Sequence, residues 1–142
     1  MNFQSFIRVV FFLLPMATCL FFSGCWQNSG PTMHAVRGTL THNGETIPGM
    51  LICFDPVDAD NNPASEAITD SEGKFELKVG NTLGVAPGEY IVYVQDPAAV
   101  QGGKTSTEPS YLNVLKKYGN RDTAEIRMTI DSATYDYELK LD

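Results

Sequence analysis

The sequence predicts an all-β fold, namely a seven-stranded antiparallel β-sandwich. Three observations favour it. Apolar and polar residues alternate with period two in short runs, turn residues stand between these runs, and no long amphipathic helix competes with them. Short strands joined by tight turns are typical of two packed antiparallel sheets. The runs are 36–41, 50–54, 66–69, 74–79, 89–94, 125–130 and 137–141.

Turn motifs mark the ends of these strands. Asn43-Gly44 accepts positive φ angles and predicts a hairpin. In the stretch 70–73, Asp70 can bond backbone amides across the turn while Gly73 supplies a permissive dihedral, which predicts a second hairpin. The alternation then assigns one face of each strand to the core. The expected core residues are Val36, Leu40, Ile52, Phe54, Phe75, Leu77, Tyr90, Val92, Val94, Ile126, Met128, Ile130 and Leu139.

The first two dozen residues have the composition of an export signal. A single cation, Arg8, precedes 14 uncharged residues from Val9 to Phe22. A spanning helix needs about 18 or more apolar residues, whereas a secretory h-region needs about 7–15. Pro15 also disfavours one long straight helix. We therefore expect residues 1–24 to be a signal peptide.

The tetrad "FSGC" (22–25) resembles the bacterial lipobox, an apolar residue and two small ones before the cysteine that receives lipid. Phe22 departs from the usual Leu. The resemblance implies that Cys25 is the lipidated first residue of the mature chain. Two alternatives remain open: an ordinary signal cleaved near Ser23-Gly24, and a Cys25–Cys53 disulfide, which would pin a polar tail to a sheet.

Lipidation implies a place for the protein. Several acyl chains on one cysteine anchor firmly, since each buried CH₂ contributes about 0.8 kcal/mol. Trp26 would lie at the headgroup level, where aromatic rings favour the interface. Residues 25–33 are then the lipidated cysteine and a polar tether, whose part 27–33 spans at most about 25 Å. We expect residues 34–142 to form a domain of a membrane-anchored lipoprotein in the cell envelope, facing the periplasm or the exterior.

Four stretches resemble the small bacterial lipoproteins with a carboxypeptidase-regulatory-like, or transthyretin-like, domain. They are "VRGTLTHNGETIPGMLICFDP", "ITDSEGKFEL", "GVAPGEYIVYV" and "KKYGN", and the resemblance covers about residues 36–141. It implies a Greek-key sandwich in which the strands 50–54, 66–69, 89–94 and 125–130 share one sheet. Most members of this family have no assigned biochemical role, and a fold alone does not supply one.

Charge and site chemistry argue against several function classes. All 17 acidic residues and 9 of the 10 basic ones follow residue 24, so the mature charge is −8, which is unfavourable for nucleic acid. His34 and His42 have no nucleophile or orienting carboxylate beside them in the sequence. The loop from Asp58 to Asn62 begins like an EF-hand, but Pro63 replaces its glycine. We expect no enzyme activity, no cofactor and no metal.

One outer sheet face is unusually apolar. The alternation that directs Ile52 inward directs its neighbours outward. Such a patch marks an interface unless the chain covers it, and we expect the excursion 97–123 to fold over it. The expected face is Leu51, Cys53, Ile68, Ile91 and Tyr93, and the expected cover, at helical spacing, is Tyr111, Leu112, Leu115 and Tyr118.

These observations together predict a non-enzymatic, lipid-anchored envelope β-sandwich that acts as a binding or structural module. Its partners would be the membrane, through Cys25, and an envelope protein or a glycan that the sequence does not identify. A small-ligand or carbohydrate-binding lipoprotein is the alternative, with Trp26, Tyr93, Tyr111 and Tyr118 as stacking residues.

Overall fold

Ten β-strands in two sheets form the domain in the computed structural model, which describes residues 30–142. Two α-helices and one turn of 3₁₀-helix, Arg121–Thr123, lie between the eighth and ninth strands. The strands are β1 (Val36–His42), β2 (Glu45–Thr46), β3 (Leu51–Pro56), β4 (Ser65–Ile68), β5 (Lys74–Glu76), β6 (Lys78–Val79), β7 (Thr82–Leu83), β8 (Gly88–Gln95), β9 (Ile126–Ile130) and β10 (Thr134–Lys140). The helices are α1 (Pro97–Gln101) and α2 (Pro109–Tyr118).

The first sheet contains β10, β1 and β2 in that order, with β5 also paired to β1, and the second has the order β7-β6-β4-β3-β8-β9. The prediction that 50–54, 66–69, 89–94 and 125–130 share one sheet is confirmed. The prediction of a wholly antiparallel fold is wrong at one place, because β1 and β10 pair in parallel. The short connection 131–133 leads from β9 in one sheet to β10 in the other. Because β10 is not joined to β1 by a hairpin, the two strands are not forced to be antiparallel.

Residues of both sheets share one hydrophobic core. The period-two alternation placed most of this core correctly, since β8 alternates buried and half-buried residues along its length. Ile126 and Met128 differ, because they are only partly buried on the edge strand β9. Met50, Val85, Val114 and Leu141 are fully buried outside the predicted set.

The run 74–79 passes from one sheet to the other. Its first half, β5, pairs with β1, its second half, β6, pairs with β4, and Leu77 between them is fully buried. A two-residue hairpin at Gly80-Asn81 then leads into β7, and φ of Gly80 is +57°. This crossing strand makes a corner where the outer surfaces of the two sheets meet.

The opening beside the last residues of β8 is closed by α2. β9 pairs with β8 only from Gly88 to Val92, which leaves the last residues of β8 without a partner strand on that side. Tyr111 and Val114 of α2 join the core there. The segment Pro97–Gln101 forms α1, and Asp96 caps that helix by accepting a 2.9 Å bond from the Ala98 amide.

The domain begins at His34, whose backbone N–H and C=O both bond to Val85 at 2.8 Å. Pro31 and Thr32, just before it, are exposed. Across residues 30–142, no helix is long and apolar enough to cross a membrane.

Candidate functional site

The five predicted outer-face residues occupy neighbouring positions on three strands of the second sheet. Leu51 lies opposite Ile68, and Cys53 lies opposite Tyr93. Their exposure differs from the prediction: only Ile68 is open, at 46%, while Cys53, Ile91 and Tyr93 are half-buried. Leu51, predicted to be exposed, is 3% exposed, although it lies outside the core between the sheets.

The four predicted cover residues do not act as one lid over that face. Tyr111 is 6% exposed within the shared core, Leu115 and Tyr118 pack against the core's edge, and Leu112 is 44% exposed. The helix therefore turns its apolar stripe into the gap between the sheets, where β9 stops short along β8. The Tyr111 hydroxyl also donates to the Gly49 carbonyl at 3.2 Å, which fixes the helix at that end.

The Cys53 thiol is not activated as a nucleophile. Burial raises the pKa of its thiol to about 11, so the reactive thiolate is scarce at neutral pH. Burial likewise raises the pKa of Tyr93, which faces it, to about 12. This part of the outer face therefore offers packing surface and no nucleophile.

The open part of the surface is a groove at the corner made by the crossing strand. Its volume is about 610 Å³, and two exposed apolar side chains, Leu83 at 58% and Ile68 at 46%, stand on it. Apolar side chains that form a contiguous exposed patch mark interaction sites, whereas single exposed ones are ordinary. We call this surface the corner face; it is lined by Arg37, Gly38, Thr39, Ala67, Ile68, Asp70, Lys74, Phe75, Glu76, Lys78, Leu83 and Asp136.

The charges of the corner face balance. Three cations (Arg37, Lys74, Lys78) and three carboxylates (Asp70, Glu76, Asp136) line it. Arg37 pairs with Glu76 at 2.6 Å and lies over the Tyr135 ring at 5.7 Å. Lys78 makes no ion pair within residues 30–142, and Glu66 lies opposite it on β4.

Sequence reasoning missed Lys78 and Leu83 as site residues. They face each other across the β6–β7 hairpin, which was not predicted. The signal was present in Gly80-Asn81, a dipeptide suited to two-residue hairpins. The predicted strand 74–79 has no return strand after it, whereas in the structure Thr82–Leu83 pairs back onto Lys78–Val79.

A second, smaller pocket of about 270 Å³ surrounds Asp96 near the start of α1. This carboxylate is 8% exposed, and its Oδ1 accepts from the Ala98 amide and from the Tyr111 hydroxyl at 3.3 Å. The nearby Thr105 side chain, followed by these two donors, lowers the pKa of Asp96, although among residues 30–142 no donor completes a hydrogen bond to Oδ2. The arrangement joins α1 to α2 and serves the fold.

The other candidate residues are engaged or separate. The His42 ring donates from Nδ1 to the Leu141 carbonyl. Its Nε2 accepts from the side-chain amide of Asn43, 3.0 Å away. In the acidic loop, Asp58 accepts from Asn61 at 2.8 Å. No group of three or more His, Cys, Asp or Glu within residues 30–142 is placed to hold a metal ion. Cys25 and Trp26, the predicted lipidation site and interfacial residue, lie outside the described residues.

Comparisons of the chain with protein-family models, with curated proteins and with solved structures found no match. The function must therefore be argued from the residues of this chain. The resemblance to carboxypeptidase-regulatory-like lipoproteins stays an expectation from its motifs.

Proposed function

We propose that this chain is a non-enzymatic, lipid-anchored β-sandwich module of a bacterial cell envelope, facing the periplasm or the exterior. Cys25 would hold it at the membrane, and the domain would bind or support an envelope protein or glycan. The observation that carries the proposal is the tetrad "FSGC" at the end of an uncharged run, followed by only a short polar segment before His34. That arrangement supplies a lipid anchor and a short tether.

We also propose the finer fold, a seven-stranded, Greek-key, transthyretin-like sandwich. Two features support it. The four strands that the resemblance assigns to one sheet do share one. When β5 and β6 are counted as one crossing strand and the two-residue strands β2 and β7 are set aside, seven of the ten strands remain.

The binding role is supported by a comparison of the candidate catalytic groups with the corner face. The thiol of Cys53 has its pKa raised by burial, and both ring nitrogens of His42 are engaged, so neither is poised for nucleophilic or base catalysis. The corner face, in comparison, combines open apolar side chains with ionic groups at its rim. Such a mixture suits recognition.

Metabolic labelling with a radioactive fatty acid in a bacterial host tests the anchor. The full chain should take up label, and Cys25→Ala should not. Cys53→Ala is the matched control, since it removes the other thiol expected in the mature chain and should leave the label intact. A wild-type chain without label would exclude the lipoprotein proposal.

A second candidate function is small-ligand or carbohydrate binding. The corner face favours it, because about 610 Å³ lies within the usual range of ligand sites, about 300–1,000 Å³. Tyr135, 58% exposed beside Arg37, could stack on a sugar ring, whereas Tyr111 is too buried to do so. A glycan array and a thermal-shift screen of metabolites test this function. A blank in both, with a folded protein, favours protein–protein contacts.

A further inference from the structure

The tether joins the domain beside the corner face. His34 is paired with Val85, and Leu83, the most exposed apolar residue of the corner face, lies two residues before Val85. The two segments are in close contact at Gly84, because a Cβ there would lie 3.1 Å from the Cβ of Met33. A lipid on Cys25 would therefore pull on the domain at this edge.

The residues nearest that attachment suit a bilayer surface. Leu83 and Ile68 are exposed on the outer side of the second sheet, and Lys78 lies between their strands with no ion pair among residues 30–142. Apolar side chains partition into the headgroup and acyl boundary. A lysine beside them can extend its ammonium to lipid phosphates while its stem stays on apolar surface.

The charge of the corner face is compatible with a bilayer surface. The mature chain carries a charge of −8, which an anionic leaflet repels. The charged residues lining the corner face, three cations and three carboxylates, contribute nothing to that excess. The lining of the corner face itself therefore adds no net repulsion from an anionic bilayer.

We propose that the corner face is a membrane-contact surface, which lies on the headgroups of the bilayer that holds Cys25, with Leu83 and Ile68 inserted and Lys78 against lipid phosphate. This inference rests on the proposed lipid anchor. The eight residues between Cys25 and His34 span at most about 28 Å. Because the tether is short, the effective concentration of the corner face at the bilayer is high. A weak affinity of the corner face for lipid is then enough to orient the domain.

Fluorescence quenching tests the contact on the full lipidated chain, reconstituted in phosphatidylethanolamine–phosphatidylglycerol vesicles whose acyl chains are brominated. Trp26→Phe removes the single tryptophan. In that background Leu83→Trp reports on the corner face. Leu112→Trp is the matched control, because Leu112 is 44% exposed on α2 and does not line the corner face. We expect a blue shift and loss of emission for Leu83→Trp, with emission from Leu112→Trp unchanged.

The remaining outcomes decide against the inference in distinguishable ways. Mass spectrometry of the same preparation reports whether Cys25 carries lipid, and an unmodified Cys25 would overturn both the anchor and this contact. With Cys25 lipidated, equal quenching of the two reporters, or none, would overturn the contact alone. A blue shift without quenching would do the same and would indicate a second copy or a protein on the corner face. Ile68→Trp repeats the test should Leu83→Trp fold poorly.

Discussion

Two regions of this domain treat apolar side chains differently, although Leu112 of α2 is 44% exposed. At the helix-capped end, formed by α2 and the strand ends it closes, Val114 is fully buried and Tyr111 is 6% exposed. On the corner face, Leu83 is 58% exposed and Ile68 is 46% exposed. A ten-residue helix covers the last residues of β8, whereas within residues 30–142 no element covers Leu83 and Ile68. The first region therefore contributes to stability, and the second is available for contact.

Polar side-chain contacts are exposed in both regions. At the helix-capped end, the Tyr118 hydroxyl donates to the Asp142 main-chain oxygen at 2.6 Å, and Lys117 reaches the same oxygen at 3.0 Å. These contacts join distant parts of the chain and would be lost on unfolding. On the corner face, Arg37 and Glu76 pair with each other across exposed strand positions. Exposed pairs of this kind contribute little to folding.

The largest expected effect comes from charging the helix-capped end. Val114→Asp would place a carboxylate in the shared core without a partner, and we expect a loss of about 4 kcal/mol or more in the free energy of unfolding. Leu83→Asp, the matched change on the corner face, should cost less than about 0.5 kcal/mol, because that side chain is already in solvent.

Urea unfolding followed by far-UV circular dichroism measures both variants. Comparable losses for Val114→Asp and Leu83→Asp would show that the corner face is packed as firmly as the capped end. The contrast on which its assignment as a contact surface depends would then be wrong.

A smaller effect is expected from the Tyr111 hydroxyl. Tyr111→Phe keeps the ring in the core but removes the bonds to the Gly49 carbonyl and to Asp96 Oδ1, so we expect a loss of about 1 kcal/mol. Tyr135→Phe is the control, since that ring is 58% exposed and contacts Arg37 through its face. Unfolding free energies that are equal for the two variants would indicate that the Tyr111 hydroxyl bonds do not stabilise the capped end.

The strand pattern was predictable because it is local. Alternation identified β1, β3, β8 and most of the core, and the Asp70 turn was predicted with its mechanism. Asp70 Oδ1 indeed accepts from the amides of Glu72 and Lys74, at 2.8 and 2.9 Å. Each of these features depends on residues within a few positions of one another.

The positions at which longer segments pack or pair could not be predicted from such local patterns. The spacing of Tyr111, Leu115 and Tyr118 indicated a helical turn, but the surface it packs on depends on where β9 ends along β8. The parallel pairing of β1 and β10 joins residues about a hundred positions apart. The exposure of Leu83 likewise depends on a hairpin whose Gly80-Asn81 signal was overlooked.

Acid titration separates the two regions through Asp96. Its pKa is lowered in the folded domain, by Thr105 first and then by the Ala98 amide and Tyr111, so the ionised form stabilises the fold. That contribution is present above the ordinary pKa of 3.8 and is lost as the pH falls through the lowered value. We expect the unfolding free energy of the wild type to fall more steeply below about pH 4 than that of Asp96→Asn.

The control for this titration is Asp60→Asn, which changes an exposed carboxylate in the loop after β3. Its unfolding free energy should follow the wild-type curve down to pH 3. If Asp96→Asn also follows the wild type, the hydrogen bonds to Asp96 do not couple its charge to the stability of the capped end.

The smallest expected effect belongs to the ion pair of the corner face. Glu76→Gln removes the charge that faces Arg37, whose side chain is 53% exposed, and we expect a loss of about 0.5 kcal/mol or less. Even this loss should shrink when urea unfolding is repeated at high salt, because the pair is screened by solvent. A loss above about 1 kcal/mol that persists in salt would mean that the pair braces β1 against β5. The corner face would then be a structural joint, and its open apolar residues would have to be explained by that joint instead of by contact with a membrane.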